Sequence, residues 1–343
     1  MNKIAIIGSG NSALLFVKAL NYFSNLKLIC IGSRNFKSAK KISLHHNSKI
    51  KISTIDYVIN STEIDTVIVC LPPTLQPKIL IKLFKMKKNV ICEKPLAIDN
   101  KNAKKVYNHW IRSKKIGLVN FCYNFIPEFI EVKKIIKKNK LDLHTIKFDW
   151  NVSSRVNPSK IFWKNSFNQG GGVLINFGAH ILNLFFPKKE KIKLLSKYQF
   201  TKINNKIVAV TKSNDLPDTM TNIILKKKFL FNLNFSTISN PTLGMQIQLI
   251  GKKGSIILDN FNLKKAMFKF KMKKLYNTSN KIYINSIIIN KQKPENLIDL
   301  YKRTLEYFCY IKKNSIKKYN MSINEGYWNT CLINQLSKLS NKK

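Results

Sequence analysis

The feature that most constrains the fold is a glycine loop after the first apolar run. Ile4 to Ile7 is continuously apolar, which is typical of a strand buried on both faces of a parallel sheet. The run leads into a G-x-G-x-x-A loop and then into a helical stretch that reaches Leu20. In such a loop the first glycine permits a tight turn, the second lets a pyrophosphate approach, and the small third residue lets the helix pack on the strand. The sequence therefore predicts a dinucleotide site, with a purely structural glycine turn as the alternative. Its predicted residues are Gly8, Ser9, Gly10, Asn11, Ser12 and Ala13.

The end of the second apolar run indicates which dinucleotide is bound. Leu26 to Ile31 is followed by Gly32-Ser33-Arg34, where an NAD-specific site usually presents an acidic residue to the ribose 2′-hydroxyl. A hydroxyl and a guanidinium suit a 2′-phosphate instead. We therefore predict that Ser33 and Arg34 favour NADP(H), with NAD(H) as the second choice. The alternative is that Arg34 stacks on the adenine or lies in solvent.

Alternating apolar runs and helical stretches continue to about residue 121, which predicts a doubly wound parallel sheet of the Rossmann type. The segments 71–76 and 93–95 each follow a predicted strand, at the edge where open α/β sheets bind ligands. A lysine at that edge is placed for chemistry. The residues predicted to contact the cofactor here are Leu71, Pro72, Gln76, Glu93 and Lys94.

The pattern changes near Tyr123. Beyond a helix from about Pro127 to Lys138, apolar and polar residues alternate strictly around Phe231 to Phe235, Met245 to Leu249 and Phe268 to Met272. This period of two predicts antiparallel strands with one covered face. We therefore predict a Rossmann domain over 1–122 and an α+β domain with a large open, mainly antiparallel sheet over 123–343. In this prediction, the last two helices of the chain can pack against the first domain.

Two shorter signals refine the second half. Gly251-Lys252-Lys253-Gly254 predicts a hairpin turn, and Ser322-Ile323-Asn324-Glu325 has the pattern of a capping box that starts the last helix. The penultimate helix is predicted over roughly Glu295 to Lys312.

The stretch from Gly170 to His180 is the strongest candidate for a reaction centre. Three consecutive glycines free the backbone to approach a ligand. The residues that follow have a helical period that places Asn176, His180 and Asn183 on one face. The alternative is a flexible turn before a partly buried helix whose histidine is merely hydrogen-bonded.

The charge is unusual: Lys and Arg total 61 against 17 Asp and Glu, a formal +44. Such an excess suggests nucleic acid or an anionic membrane as a partner. However, the lysines are spread over the whole chain together with abundant Ile and Asn, as A/T-rich codon use would produce. No zinc finger, basic region with heptads or RNP-like motif is present, and no apolar run approaches the ~20 residues of a membrane span. We expect no specific nucleic-acid partner and no membrane span, but salt-sensitive binding to polyanions.

The 6 cysteines lie far apart and form no C-x-x-C or Cys/His cluster. The sequence therefore predicts no metal site and no thioredoxin-like pair, and a reducing cytoplasm fits best.

Taken in order, these motifs resemble the family of glucose-fructose oxidoreductase, inositol dehydrogenase and the rhizopine-catabolism dehydrogenases, the Gfo/Idh/MocA family. The resemblance covers nearly the whole chain. Its carriers are Gly8 to Ala13, Pro72 to Gln76, Glu93-Lys94-Pro95-Leu96-Ala97, Phe125-x-Pro127, Trp163-Lys164, Gly170 to His180 and Gly251-x-x-Gly254-Ser255.

The resemblance implies an NAD(P)-dependent oxidoreductase that transfers a hydride between nicotinamide and a carbon–oxygen centre of a sugar, cyclitol or nucleotide sugar. Lys94 becomes the catalytic lysine, with a cis peptide bond to Pro95, and His180 the proton donor or acceptor. It also implies a homo-oligomer, a dimer or tetramer, associated through the second sheet.

Three positions depart from the family pattern. Asn176 stands where aspartate is usual, and we count it with the catalytic residues because it can orient an imidazole without supplying charge. Restoring aspartate there is expected to keep or raise activity. Gln76 and Asn124 replace a common histidine and a common arginine, and neither is expected to touch the chemistry directly.

The sequence is compatible with two functions. The first is an active enzyme in which Lys94, Asn176 and His180 also contact the substrate, together with Trp163 and Lys164. The basic residues there suit an anionic sugar, unless they only share the general lysine excess. The second is a catalytically weak or inactive dinucleotide-binding sensor or partner-binding relative, for which Asn176 is the sequence argument.

Overall fold

The protein is described by a computed structural model over residues 2–152, 163–203, 206–210, 217–238, 244–260, 271–278, 281–287 and 296–338. The chain divides into two compact units. The first contains residues 1–122 and 297–334, and the second contains residues 123–296 and 335–343.

The first unit contains a six-stranded parallel sheet with the order β3-β2-β1-β4-β5-β6. This order is that of a Rossmann fold, in which the strand sequence reverses between β1 and β4 and opens a crevice at the carboxyl ends. The strands are β1 (Asn2–Ile7), β2 (Leu26–Gly32), β3 (Lys51–Ser53), β4 (Thr66–Val69), β5 (Asn89–Cys92) and β6 (Gly117–Val119).

Seven helices belong to this unit in the described part of the chain, and two of them come from its end. They are α1 (Asn11–Leu20), α2 (Phe36–Ser43), α3 (Ile55–Asn60), α4 (Gln76–Lys85), α5 (Asn100–Ser113), α8 (Leu297–Lys313) and most of α9 (Ile323–Lys338). The apolar run Ile4 to Ile7 is fully buried in β1, as the sequence predicts for a central strand.

The second unit contains a nine-stranded sheet with the order β15-β14-β13-β12-β7-β11-β10-β8-β9. All neighbours are antiparallel except β7 and β11, which are parallel. The strands are β7 (Leu143–Asn151), β8 (Lys193–Ile203), β9 (Lys206–Ala209), β10 (Met220–Lys226), β11 (Leu230–Ser236), β12 (Gly244–Gly251), β13 (Gly254–Asp259), β14 (Lys271–Thr278) and β15 (Lys281–Ile287). The fold class predicted from the sequence is confirmed.

One face of this sheet is apolar, and short helical segments cover it. Phe231, Leu233 and Phe235 are buried with Asn232 and Asn234 on the opposite face, which confirms the alternation predicted for β11. Phe231 packs edge-on against Phe186 with ring centroids 4.7 Å apart. The helices of this unit are α6 (Pro127–Lys138) and α7 (Ala179–Phe185), the latter preceded by a π-helical turn, Leu174–Gly178.

Several local predictions can be compared directly with the structure. The predicted turn at Gly251 joins β12 to β13, which pair as a hairpin. The last helix does begin after Ser322, but the Glu325 carboxylate accepts a hydrogen bond from the Met321 amide at 3.0 Å, one residue before the position that a capping box requires. The penultimate helix is described from Leu297, and Phe268 and Phe270 lie outside the described residues.

Candidate active site

The two glycines of the first loop have different surroundings. Gly8 has a φ of +112°, and a Cβ there would lie 2.3 Å from the carbonyl oxygen of Cys70, so the turn requires glycine. A Cβ on Gly10 would meet nothing within 4 Å. Gly10 is also the N-cap of α1 and has no side chain that could cap it. The loop therefore presents backbone N–H groups to open space, which fits the diphosphate of a dinucleotide.

Ser33 connects this loop to the end of β2. Its hydroxyl lies 3.0 Å from the Ser9 hydroxyl and accepts a hydrogen bond from the Asn35 amide at 3.1 Å. The Ser38 hydroxyl in turn donates to the Ser9 carbonyl at 2.9 Å. Ser33 is 6% exposed, whereas Arg34 beside it is exposed. Arg34 is thus the charged group at this corner that is open to a ligand.

Lys94 lies at the carboxyl end of β5, and its loop is clamped by Gln76. The Gln76 amide nitrogen donates to the carbonyl oxygens of Glu93 at 2.7 Å and Pro95 at 3.0 Å, on both sides of Lys94. The Lys94–Pro95 peptide bond is cis, as predicted. Gln76 has no exposed surface and its side chain holds the Lys94 loop, and its predicted contact with the cofactor stays a prediction.

The Glu93 carboxylate is bound by other side chains of the first unit. Its Oε1 accepts hydrogen bonds from the Asn120 amide at 2.9 Å and from the Tyr301 hydroxyl at 2.8 Å, and the residue is 9% exposed. Asn120 and Tyr301 lie 27 and 208 residues from Glu93 in sequence, so no local pattern identifies either of them as its partner. Leu71 and Pro72, in the neighbouring loop, are half-buried, and the Pro72 carbonyl accepts the amides of Leu75 and Gln76 where α4 begins.

Thiol chemistry is not supported at this edge of the sheet. Burial, and then the nearby Glu93 carboxylate, raise the pKa of Cys70 and that of Cys92 well above the ordinary thiol value. Both thiols therefore stay protonated near neutral pH, which leaves Lys94 as the chemically useful group of this loop.

In the second unit, the triple-glycine stretch is held by Asp218. Asp218 is 2% exposed; its carbonyl accepts the Val173 amide at 2.8 Å and its carboxylate accepts the Leu174 amide at 3.0 Å. Burial raises the pKa of Asp218, and its hydrogen bonds oppose that rise. Asp218 thus fixes the start of the π-helical turn that leads to His180. The turn replaces the regular helix that the sequence predicted from the glycines onward, and π-helical turns are frequent at functional sites.

His180 stacks on Tyr123. The two rings are almost parallel, at 12°, with centroids 4.3 Å apart, and both residues are buried. Tyr123 itself contacts Trp150, with centroids 5.5 Å apart, so the imidazole plane is fixed by the aromatic core of the second unit. The sequence analysis missed Tyr123 because aromatic residues are common in any core.

Asn176 and Asn183 have separate roles in this stretch. The Asn176 side-chain amide donates to the Gly172 carbonyl at 2.7 Å, which closes the glycine stretch onto the turn. Asn183 is 1% exposed, and its Oδ1 accepts from the Asn124 amide at 2.8 Å. The Lys133 ammonium donates to Asn124 at 2.9 Å, so Asn124 links a lysine to the helix of His180.

Trp163 and Lys164 adjoin the same glycines. They lie in a short 3-10 turn, Trp163–Asn165, and the Lys164 carbonyl accepts the Gly172 amide at 3.3 Å. The Lys164 side chain is exposed, with its ammonium 5.5 Å from the centre of the Trp163 ring. The second unit therefore places Trp163, Lys164, Asn176 and His180 in one stretch of connected structure. The first unit likewise places its predicted site residues in connected structure: the glycine loop, Ser33, Gln76, Glu93 and Lys94.

Residues 2–121 match the family model GFO_IDH_MocA, described as an oxidoreductase family with an NAD-binding Rossmann fold. The predicted resemblance to the Gfo/Idh/MocA family is confirmed. The prediction of an oxidoreductase is confirmed with it, and so is the use of a nicotinamide dinucleotide.

Curated relatives extend the similarity beyond the Rossmann domain. An uncharacterised oxidoreductase of Synechocystis is 24% identical over 280 residues, which cover 78% of this chain and 74% of the relative. Glucose-6-phosphate 3-dehydrogenase of Bacillus subtilis is 25% identical over 259 residues, 74% of this chain and 73% of the relative.

A solved structure shows the same fold. Levoglucosan dehydrogenase in complex with NADH superposes with a TM-score of 0.81 over 98% of this chain and 96% of its own, at 14% identity. Within the described residues, no helix of this protein is both long and apolar enough to cross a lipid bilayer.

Proposed function

We propose that the protein transfers a hydride between a nicotinamide dinucleotide and a carbon–oxygen centre of a sugar, cyclitol or nucleotide sugar. One observation carries this proposal. The same unit contains a backbone loop that is open to a ligand at Gly10 and a Lys94 loop that the Gln76 side chain holds in place. A dinucleotide loop and a fixed lysine at the carboxyl edge of one parallel sheet suit redox chemistry on a bound hydroxyl or carbonyl group.

Each proposed catalytic residue has a distinct role. A bound nicotinamide dinucleotide supplies or accepts the hydride. Lys94 hydrogen-bonds the substrate oxygen and stabilises negative charge on it. His180 exchanges the hydroxyl proton near neutral pH, with its ring plane held by Tyr123. Asn176 holds the glycine stretch in place for His180.

The substrate class follows from charge and from a relative. Lys164 is exposed and its carbonyl binds the Gly172 amide, so its positive charge suits a phosphate or carboxylate on a substrate bound at the glycine stretch. The Bacillus subtilis relative is named for a sugar phosphate. We therefore propose that the substrate is an anionic sugar or nucleotide sugar. We also propose that copies of the chain associate through the second sheet. The test is turnover of NADPH or NADP⁺ with a panel of phosphorylated, neutral and nucleotide-linked sugars. Cofactor binding without turnover on any of them would favour a dinucleotide sensor instead.

The proposed preference for NADP(H) is tested at Arg34. Replacing Arg34 with alanine is expected to weaken NADPH binding by roughly 10- to 100-fold, because a charge-assisted hydrogen bond contributes about 1.5–3 kcal/mol. NADH affinity should change little, since NADH has no 2′-phosphate. Dissociation constants from fluorescence titration measure both, with Arg112→Ala, an exposed arginine of α5, as the control for loss of one charge. Equal losses for the two cofactors would contradict the preference.

Asn176 is tested by the aspartate that is usual in the family. The hydrogen bond of Asn176 argues for the opposite of the expectation from sequence, because a carboxylate cannot donate to the Gly172 carbonyl and its negative charge would repel that oxygen. We expect Asn176→Asp to lower kcat about fivefold, which corresponds to roughly 1 kcal/mol for the lost hydrogen bond. Asn168→Asp, an exposed position in the neighbouring turn, makes the same charge change as a control. An unchanged or higher kcat in Asn176→Asp would show that charge beside His180 matters more than this hydrogen bond.

A further inference from the structure

Tyr301 reaches two loops of the first unit at once. Its ring packs edge-on against Phe16 of α1, with centroids 4.6 Å apart, and α1 is the helix that starts at the dinucleotide loop. Its hydroxyl donates to the Glu93 carboxylate at 2.8 Å, immediately before Lys94. The residue is 6% exposed. A helix from the end of the chain therefore touches both parts of the proposed site in this unit.

The hydroxyl of Tyr301 is shared between these two loops. Burial, and then the charge of Glu93, raise the pKa of Tyr301 well above its ordinary value, while a hydrogen bond with Ser12 of the glycine loop opposes the rise. The phenol therefore keeps its proton near neutral pH. It donates that proton to Glu93 in a hydrogen bond, while its contact with Ser12 and its packing on Phe16 tie the same side chain to the glycine loop and to α1.

The link continues along α8 and into the backbone around Lys94. One turn beyond Tyr301, the Thr304 hydroxyl donates to Asn120 Oδ1 at 2.9 Å, and the Asn120 amide donates to Glu93. Gln76 fixes the carbonyl of Glu93 itself. Because all these groups are buried and hydrogen-bonded, a shift of Glu93 moves the backbone of Lys94 with it.

We propose that Tyr301 is a positioning residue that couples occupancy of the dinucleotide loop to the placement of Lys94. The inference rests on the proposed function, since it takes the Gly8 to Ala13 loop as the dinucleotide site and Lys94 as the substrate-facing group. It adds a contribution of the carboxyl-terminal helix α8 to the dinucleotide loop and the Lys94 loop, both of which the sequence places before residue 122.

Hydrogen exchange of the full chain tests the coupling without any turnover. In the wild-type protein, saturating NADPH is expected to slow amide exchange in residues 8–13 and in residues 93–97. In Tyr301→Phe, which keeps the ring on Phe16 and removes only the hydroxyl, protection of 8–13 should persist and that of 93–97 should be lost. Ser12→Ala breaks the link from its other end and should give the same pattern. Tyr310→Phe, on the same helix and 57% exposed, is the matched control and should behave as wild type.

Kinetics give a second readout that loss of stability alone would not produce. Tyr301→Phe is expected to lower kcat by roughly tenfold while the KM for the dinucleotide changes much less, since misplacement of a catalytic group acts on the chemical step. NADPH-dependent protection of residues 93–97 that survives in both Tyr301→Phe and Ser12→Ala would overturn the coupling, even with a lower melting temperature.

Failure of the proposed function has a different signature. Loss of protection at 93–97 in Tyr301→Phe, in a protein that turns over no sugar, would support the coupling and refute the redox function. A wild-type chain that binds neither NADPH nor NADH would overturn both.

Discussion

Gly8→Ala is expected to destabilise the protein, whereas Gly10→Ala is expected to leave stability unchanged and to weaken dinucleotide binding at least tenfold. At Gly8 the new methyl group would lie 2.3 Å from the Cys70 carbonyl oxygen, on a backbone whose φ of +112° is unfavourable for alanine. We estimate a loss of about 2–4 kcal/mol in the free energy of unfolding. At Gly10 the methyl group meets nothing within 4 Å in the protein, so it occupies only space that a pyrophosphate would need.

Urea denaturation and fluorescence titration with NADPH separate the two effects. Gly8→Ala should lower the denaturation midpoint, and Gly10→Ala should keep the midpoint and the slope of the wild-type protein. NADPH binding by Gly10→Ala at wild-type affinity would show that the diphosphate does not lie against this glycine. The dinucleotide-loop assignment would then have to be abandoned.

Lys94→Ala and His180→Ala are each expected to lower kcat by roughly 10²–10³ while NADPH affinity stays within about threefold of wild type. Losing a charge-stabilising or proton-exchanging group has effects of this size on the chemical step. The dinucleotide loop is left intact in both variants. Steady-state kinetics with any substrate found in the sugar panel, together with fluorescence titration, provide the measurement.

Matched variants separate chemistry from packing in this test. His180→Phe keeps an aromatic ring on Tyr123 and removes the titratable nitrogens, so it should be as inactive as His180→Ala. Lys104→Ala and His144→Ala remove the same residue types at exposed positions of α5 and β7 and should keep wild-type kcat. Full turnover in His180→Phe would exclude proton exchange by His180.

The elements of the fold that could be predicted from the sequence are those with a clear local pattern of apolar and polar residues. A continuous apolar strand before Gly8 predicts a buried parallel strand, and alternation in β11 predicts a half-covered antiparallel strand, because each periodicity has one favourable burial. β3 has only three residues, none of them buried, and so left no pattern to detect. The π-helical turn was missed because its apolar spacing differs little from that of an α-helix.

In the candidate site, sequence predicted the groups that face a ligand better than those that hold them. Lys94 and His180 belong to short motifs, so they can be recognised from neighbouring residues. Gln76 contacts the Lys94 loop from 17 residues away, and Tyr301 contacts Glu93 from 208 residues away. A local sequence pattern cannot reveal a hydrogen bond between residues so far apart. The residues next to a buried glutamine or tyrosine in sequence do not show which loop its side chain contacts.

The division of the first unit into two sequence segments has a consequence for biosynthesis. Phe16 on α1 has no exposed surface in the finished protein and packs against Tyr301, which the ribosome makes only after residues 123–296 have been added. Until then the nascent glycine-loop helix has an uncovered apolar side, and the Rossmann sheet lacks the last of its packing partners. Residues 123–296 of the second unit can fold before Tyr301 is made, and the first unit, residues 1–122 and 297–334, is completed late in translation.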